Sequence, residues 1–339
     1  MPVQPVHMAG VRFLTSDDLA ELASPAEYVS AVRDGYRERG TGAPAEPRTR
    51  LDSADPPGFL TGYFAILPGM GAMGGYTYAA GFGHRDAQFV LPLFDAESGE
   101  LLAVLDGASM NPSKTGATGG VGVDELARSD ASEVGLIGSG TQARGQLLAT
   151  ATVRDLDHVE VYSPTESNRE EFAAQMDGRL DVSVDAVDSS EAAVSGADIV
   201  ITATTASEPV FSSEHLDPGT HITAMGQYHP EKHEIDAETV ARAKYVPDLR
   251  ARIDSDAGAY RNALETGAIE ADHVHGELGE VVAEEIPGRE TEEEITLFDS
   301  GGTAIETVAA AKLLYDRAVE QDLGETIAFS PASEAFPGR

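Results

Sequence analysis

The segment Glu133-Val134-Gly135-Leu136-Ile137-Gly138-Ser139-Gly140-Thr141-Gln142-Ala143-Arg144-Gly145-Gln146-Leu147 limits the possible folds of this 339-residue chain more than any other. A short apolar run stops at Gly138-Ser139-Gly140, and a helix-compatible pattern begins at once. This is the strand, tight turn and helix start of a dinucleotide site. Gly138 permits the turn, Gly140 lets backbone approach a pyrophosphate, and Ala143 takes the third, packing-limited position. The helix start at Thr141, Gln142 and Ala143 then turns free N–H groups and the positive end of its dipole toward the phosphates. A second apolar run begins at His158, about 20 residues on, as the fingerprint requires. Further apolar segments at 134–137, 159–162, 182–187, 199–202, 221–225 and 245–246 alternate with helical patterns, which predicts a parallel sheet covered on both faces.

The flanking sequence reads differently. Ser16-Asp17-Asp18-Leu19 and Ser24-Pro25-Ala26-Glu27 are helix starts, the second with a capping box and Pro at the first helical position. Tyr28, Val29, Val32 and Tyr36 then recur at helical spacing. Beyond Pro47 short strands are expected at 59–67, 76–80, 88–94 and 101–105, with a hairpin turn at 95–100. A long helix at 304–323 is expected to return to this first unit, and the tail 330–339 reads as loose. The predicted class is α/β: a Rossmann dinucleotide-binding domain (126–303) plus a discontinuous α+β substrate-binding and dimerisation domain (1–125 with 304–339).

Composition narrows the function. The chain has no cysteine, which excludes disulfides, thiolate catalysis and thiolate-bound metals. A net charge of −35 argues against a nucleic-acid partner, since phosphate binding needs basic surface. The acids are dispersed, and Lys114, Lys232, Lys244 and Lys312 are the only lysines. Such a surface suits concentrated salt, where screening suppresses self-repulsion. No apolar run is long enough to span a bilayer, and residues 1–10 lack the pattern of a signal peptide, so a cytoplasmic protein with no membrane partner is expected.

Several segments together resemble the ornithine cyclodeaminase/mu-crystallin family. Leu105-Asp106-Gly107 followed by Lys114-Thr115-Gly116-Ala117-Thr118-Gly119-Gly120 is similar to its "DG…RTGA" element. The 138–143 turn resembles its "GxGxQA" loop. Residues 126–132, 197–205, 226–234 and Ser300-Gly301-Gly302-Thr303-Ala304-Ile305-Glu306 continue the match, which runs from about Pro47 to about Ala318. The resemblance implies a homodimer and hydride exchange between nicotinamide and Cα of a small amino or imino acid. Family chemistry extends from ornithine cyclisation through alanine dehydrogenation to ketimine reduction. A dehydrogenase or imine reductase is the leading expectation, with a true cyclodeaminase or a non-catalytic nucleotide-binding protein as alternatives. By the same resemblance Thr115, Thr204 and Gly226 are expected near the coenzyme.

Three departures from the family pattern matter. Pro47-Arg48 fits its carboxylate-gripping arginine, with Arg50 a near alternative, but the catalytic lysine expected within 71–76 is missing. Lys114 replaces the arginine of "RTGA"; it is expected to bind substrate and take part in catalysis, though it lacks the guanidinium fork. In the loop Gly226-Gln227-Tyr228-His229-Pro230-Glu231-Lys232, Tyr228 occupies the slot of the cyclodeaminase aspartate. Tyr228 and His229 are the remaining proton-relay candidates. The glycines from 69 to 83 read either as close approach to a ligand or as strand irregularities, with His84-Arg85 a weak substrate-site candidate. His229-x-x-x-His233 has metal-like spacing but no third ligand, and no metal is expected. For the coenzyme, NAD or NADP, Ser163-Pro164-Thr165 carries no acid where NAD enzymes place one. This favours NADP slightly, with Ser163, Thr165 and Arg169 near its extra phosphate.

Overall fold

The computed structural model describes residues 10–83, 86–226 and 228–330. Among these, seven parallel strands form one sheet in the order Ser183–Ala186, His158–Tyr162, Glu133–Ile137, Ile199–Thr202, His221–Met225, Ile295–Ser300, Ala243–Pro247. The chain winds outward from Glu133–Ile137 to one side, then crosses over and builds the other. Strand order therefore reverses between Glu133–Ile137 and Ile199–Thr202, and the carboxyl ends there open the crevice where such sheets bind ligands. Every residue of Ile199–Thr202, His221–Met225 and Ile295–Ser300 is buried, as expected of central strands covered on both faces.

Ile295–Ser300 is a strand that hydrophobic patterning did not reveal. It enters between two strands that precede it in sequence, and half of its residues are polar. Their hydrogen bonds are supplied by distant elements: Thr296 Oγ1 donates to Leu126 O at 2.9 Å, and Asp299 accepts from Arg252 Nη2 at 2.8 Å.

A second, mixed sheet of nine strands is built mainly from the first 106 residues. Its main path runs Glu325–Ala328, Gly10–Leu14, Leu101–Asp106, Val90–Asp95, Thr77–Ala80, Pro57–Gly62, Thr49–Ala54. The run expected at 59–67 is two strands, Pro57–Gly62 and Ala65–Leu67, broken at Tyr63-Phe64. At this break the backbone of Gly75 passes so close that a Cβ would lie 1.8 Å from Tyr63 O. At that position the glycine serves strand-to-strand approach. His84-Arg85 lies outside the described residues.

Two helices tie the sheets together. Asn111–Leu126, which its glycines disguise, packs on the dinucleotide helix Thr141–Thr150. Each glycine weakens a helix by about 1 kcal/mol relative to alanine, but here their missing side chains let the backbones meet. A Cβ on Gly116 would lie 2.1 Å from Gly145 O. Ala304–Glu320 starts at a capping box of Thr303 with Glu306, buries Ala309, Ala310 and Ala311, and packs on Pro25–Gly40. The chain then returns, so that Glu325–Ala328 pairs antiparallel with Gly10–Leu14.

Candidate functional site

The carboxyl ends of the parallel strands bring the expected nucleotide residues to one edge. Gly138 has φ +124, and a Cβ there would lie 2.3 Å from Ala203 O, so the turn itself demands glycine. Gly140 is different. Its φ of −82 is ordinary, and a Cβ would meet no atom of the other described residues beyond its chain neighbours within 4 Å. The helix Thr141–Thr150 has no side-chain cap at Gly140 and no acid in its first turn. Its first N–H groups and dipole are thus free for an anion, and the open space beside Gly140 suits a pyrophosphate. Ser163 is buried, with Ser139 Oγ donating to its Oγ at 2.9 Å. Arg169 Nη1 donates to Ser163 O at 3.2 Å, while Thr165 stands exposed at the head of the helix Glu166–Asp177. Thr204 N donates to the buried Glu234 at 2.6 Å, and Gly226 N donates to Ser300 O at 2.9 Å. Gly140→Ala is accordingly expected to leave the melting temperature unchanged while weakening coenzyme binding at least tenfold, measured by nucleotide titration.

A cleft of about 470 Å³ adjoins the 226–232 loop, lined by Arg48, Tyr78, Tyr228, His229, Glu231 and Asp256 among others. Arg48 lies on the segment entering Thr49–Ala54, and its Nη2 donates to Gly301 O at 3.2 Å. Its guanidinium carbon is 5.1 Å from the Tyr63 ring centre and 4.7 Å from that of Tyr228. Its Nε and Nη1 are buried and have no acceptor among the described residues. Buried guanidinium N–H groups are costly to leave unpaired, and a carboxylate is the acceptor best suited to a guanidinium. Tyr228 thus stacks on the arginine from the slot where a base is missing. His229 Nδ1 accepts from Glu231 N at 3.2 Å, which puts any ring proton on Nε2. Gln227 lies outside the described residues.

Lys114 does not line this cleft. It is 2% exposed, on the helix Asn111–Leu126, with Nζ 3.3 Å from Glu306 Oε1 and 3.4 Å from Thr115 Oγ1. Glu306 also accepts from Thr303 N at 2.7 Å. The two cations are neighbours through one turn: a Cβ on Gly302 would lie 3.6 Å from Glu306 Oε1 and 3.7 Å from Arg48 Nη2.

The family model for ornithine cyclodeaminase/mu-crystallin matches residues 13–322. The chain belongs to this family. It is 37% identical over 248 residues to a Δ1-pyrroline-2-carboxylate reductase of Bacillus cereus, covering 73% of this chain and 76% of that protein. Among solved structures, the Δ1-pyrroline-2-carboxylate reductase of Thermococcus litoralis, in complex with NADH and L-proline, superposes with a TM-score of 0.88 at 33% identity, covering 94% of this chain and all of that one (100%). An archaeal alanine dehydrogenase dimer with bound NAD also gives 0.88 at 33% identity, covering 95% and 100%.

Within the family pattern, the 71–76 segment that lacks a lysine ends at buried Tyr76, whose hydroxyl donates to Gly107 O at 2.8 Å. Lys114 Nζ sits 5.5 Å from the centre of that ring. The residues that sequence reading missed are the acids behind Arg48. Asp248 accepts from Arg252 Nε, from Ser300 Oγ at 3.1 Å, and from Gly301 N and Gly302 N, both at 2.9 Å. It thereby fixes the turn whose carbonyl holds Arg48. The spacing Asp248-x-x-x-Arg252-x-x-x-Asp256, with all three groups paired in the fold, was a legible signal. Thr303-x-x-Glu306 was another.

Proposed function

We propose that this chain is an NAD(P)H-dependent oxidoreductase acting at Cα of a small amino or imino acid, as an imine reductase or amino-acid dehydrogenase. The observation that carries the reading is Arg48, a cleft-lining guanidinium whose buried Nε and Nη1 have no acceptor among the described residues while Nη2 is fixed on Gly301. A nicotinamide held at the Gly138–Gly140 turn would supply or accept the hydride. Arg48 grips the carboxylate, and Tyr63 and Tyr228 keep its fork in plane. Lys114 adds a second positive charge behind the Gly302 turn. Two of its N–H bonds are engaged by Glu306 and Thr115, which leaves one donor. Tyr228 and His229 remain candidates for proton relay at the mouth. The relatives named above support the substrate class, and Tyr228 in the aspartate slot weighs against ring closure of ornithine.

Ser163 in place of an acid, with Arg169 donating to its carbonyl, favours NADP; NADH and NADPH tested side by side decide it. Homodimer formation is part of the same reading. Leu51 and Leu60, paired across two strands, are 66% and 47% exposed, as expected of a sheet face covered by a second copy. Sedimentation should find twice the chain mass. The functional test is oxidation of NADH and NADPH in molar KCl with Δ1-pyrroline-2-carboxylate, its six-membered homologue, and pyruvate plus ammonia. Oxidation matched by amino-acid product is expected. Proline and ammonia from ornithine without coenzyme consumption would establish a cyclodeaminase instead. Tight coenzyme binding without turnover would leave a binding protein.

A further inference from the structure

Three carboxylates line the cleft, and one is withdrawn from water. Asp52 and Glu231 are exposed, and Asp52 is paired with Arg50. Asp256 is half-buried; its Oδ1 accepts from Arg252 Nη1 at 3.2 Å, and its Oδ2 has no hydrogen-bond partner among the described residues. Arg252 is shared by Asp248, Asp256 and Asp299. Even with Arg48 nearby, two guanidiniums against three acids leave excess negative charge in a largely dry region. A proton then resides most favourably on the carboxyl with the fewest donors. The side chain of Asp248 accepts four hydrogen bonds and that of Asp299 two, but Asp256 accepts one.

We propose that Asp256 is the nitrogen-facing acid of the site: protonated, it supplies the proton that the imino nitrogen gains on reduction, and ionised, it pairs with the ammonium of the amino acid, while Arg48 holds the carboxylate. This rests on the reading of the cleft as a site for a small imino or amino acid. Such a substrate carries opposite charges on groups one carbon apart. A receptor built only from Arg48 would take any carboxylate, and ionised Asp256 provides the opposite pole for the ammonium. On reduction of the protonated imine, a hydride from the reduced nicotinamide would add to the carbon, and the C=N π pair moves to nitrogen. An N–H bond forms there as the Asp256 O–H bond breaks. The carboxylate left behind pairs with the new ammonium and regains a proton from water in the cleft; oxidation runs the same steps in reverse. Burial raises the pKa of Asp256 against the pull of Arg252, which favours the protonated donor. The other charged or titratable groups around it, among the described residues, are Arg48, Asp248, and, across the cleft, Arg50, Asp52, Tyr78, Tyr228, His229 and Glu231.

The test uses Asp256→Asn, which keeps the shape and the Arg252 contact but removes both charge and proton. Calorimetric titration of the coenzyme-saturated protein compares L-proline with tetrahydrofuran-2-carboxylate, whose ring oxygen replaces the nitrogen. The wild type should prefer L-proline at least tenfold. The variant should lose that preference through weaker L-proline binding, with the oxygen analogue within twofold of wild type. In reduction of Δ1-pyrroline-2-carboxylate, wild-type kcat should fall as pH rises through the pKa of the donor, and that limb should vanish in the variant. Asp256→Glu should restore part of the preference, and it carries the comparison if the Asn variant does not fold. Equal loss of both ligands, or an unchanged preference, overturns the proposal. Arg48→Ala separates the two readings: if it fails to weaken both ligands, the assignment of the cleft itself is wrong, whatever Asp256 does.

Discussion

Arg48→Ala is expected to lower kcat/KM for the carboxylate substrate by about 10²–10³-fold, corresponding to about 3–4 kcal/mol for loss of a desolvated, charge-assisted pair. Most of the loss should fall on KM, because the fork binds the carboxylate alike in the ground and transition states. A smaller drop in kcat should follow from a loosely oriented Cα. Arg48→Lys restores the charge without the fork, so it should recover only part of the activity. Coenzyme affinity should not change in either variant, since Arg48 lies across the Gly301–Gly302 turn from the nucleotide edge. Steady-state kinetics with nucleotide titration in molar KCl reads all of these, and wild-type KM in the alanine variant would remove Arg48 from the site.

Asp248→Ala should be the most destabilising single change around the site. It strips one partner from fully buried Arg252 and leaves Ser300 Oγ, Gly301 N and Gly302 N without their acceptor. Breaking a buried pair of this kind costs about 3–5 kcal/mol. In a chain of this size that corresponds to a fall in melting temperature on the order of 10 °C. The freed turn also releases the Gly301 carbonyl from its position against Arg48, so the surviving folded fraction should show a raised KM. Asp248→Asn should do less harm, because its carbonyl can still accept from the turn. Thermal melts of the two variants check the order, and a melting temperature within a degree of wild type for the alanine variant would refute the structural role.

The nucleotide half of the molecule was legible because its signals are local. A turn that needs φ +124 at Gly138, an uncapped helix start and apolar runs of strand length all lie within a few residues of one another. Capping at Ser24 was readable for the same reason, and the structure shows the full box with Glu27. Arg48, Tyr228 and His229 were reached through the family pattern, and the structure brings them to one cleft.

What escaped sequence reading has a common cause, which is that its meaning depends on partners far away in the chain. Ile295–Ser300 reads as too polar for a central strand until Leu126, Arg252 and Tyr245 satisfy it. Asn111–Leu126 reads as too rich in glycine for a helix until Gly145 comes to lie against it. Lys114 could be singled out by its rarity, but only packing put its ammonium against Glu306 instead of on the cleft wall. Short-range stereochemistry therefore determined the Rossmann turn, the caps and the strand runs from residue order alone. Tertiary structure decided which charges meet, because the cost of burying an ion depends on neighbours that the chain supplies from more than a hundred residues away, as it does for Lys114 and Glu306.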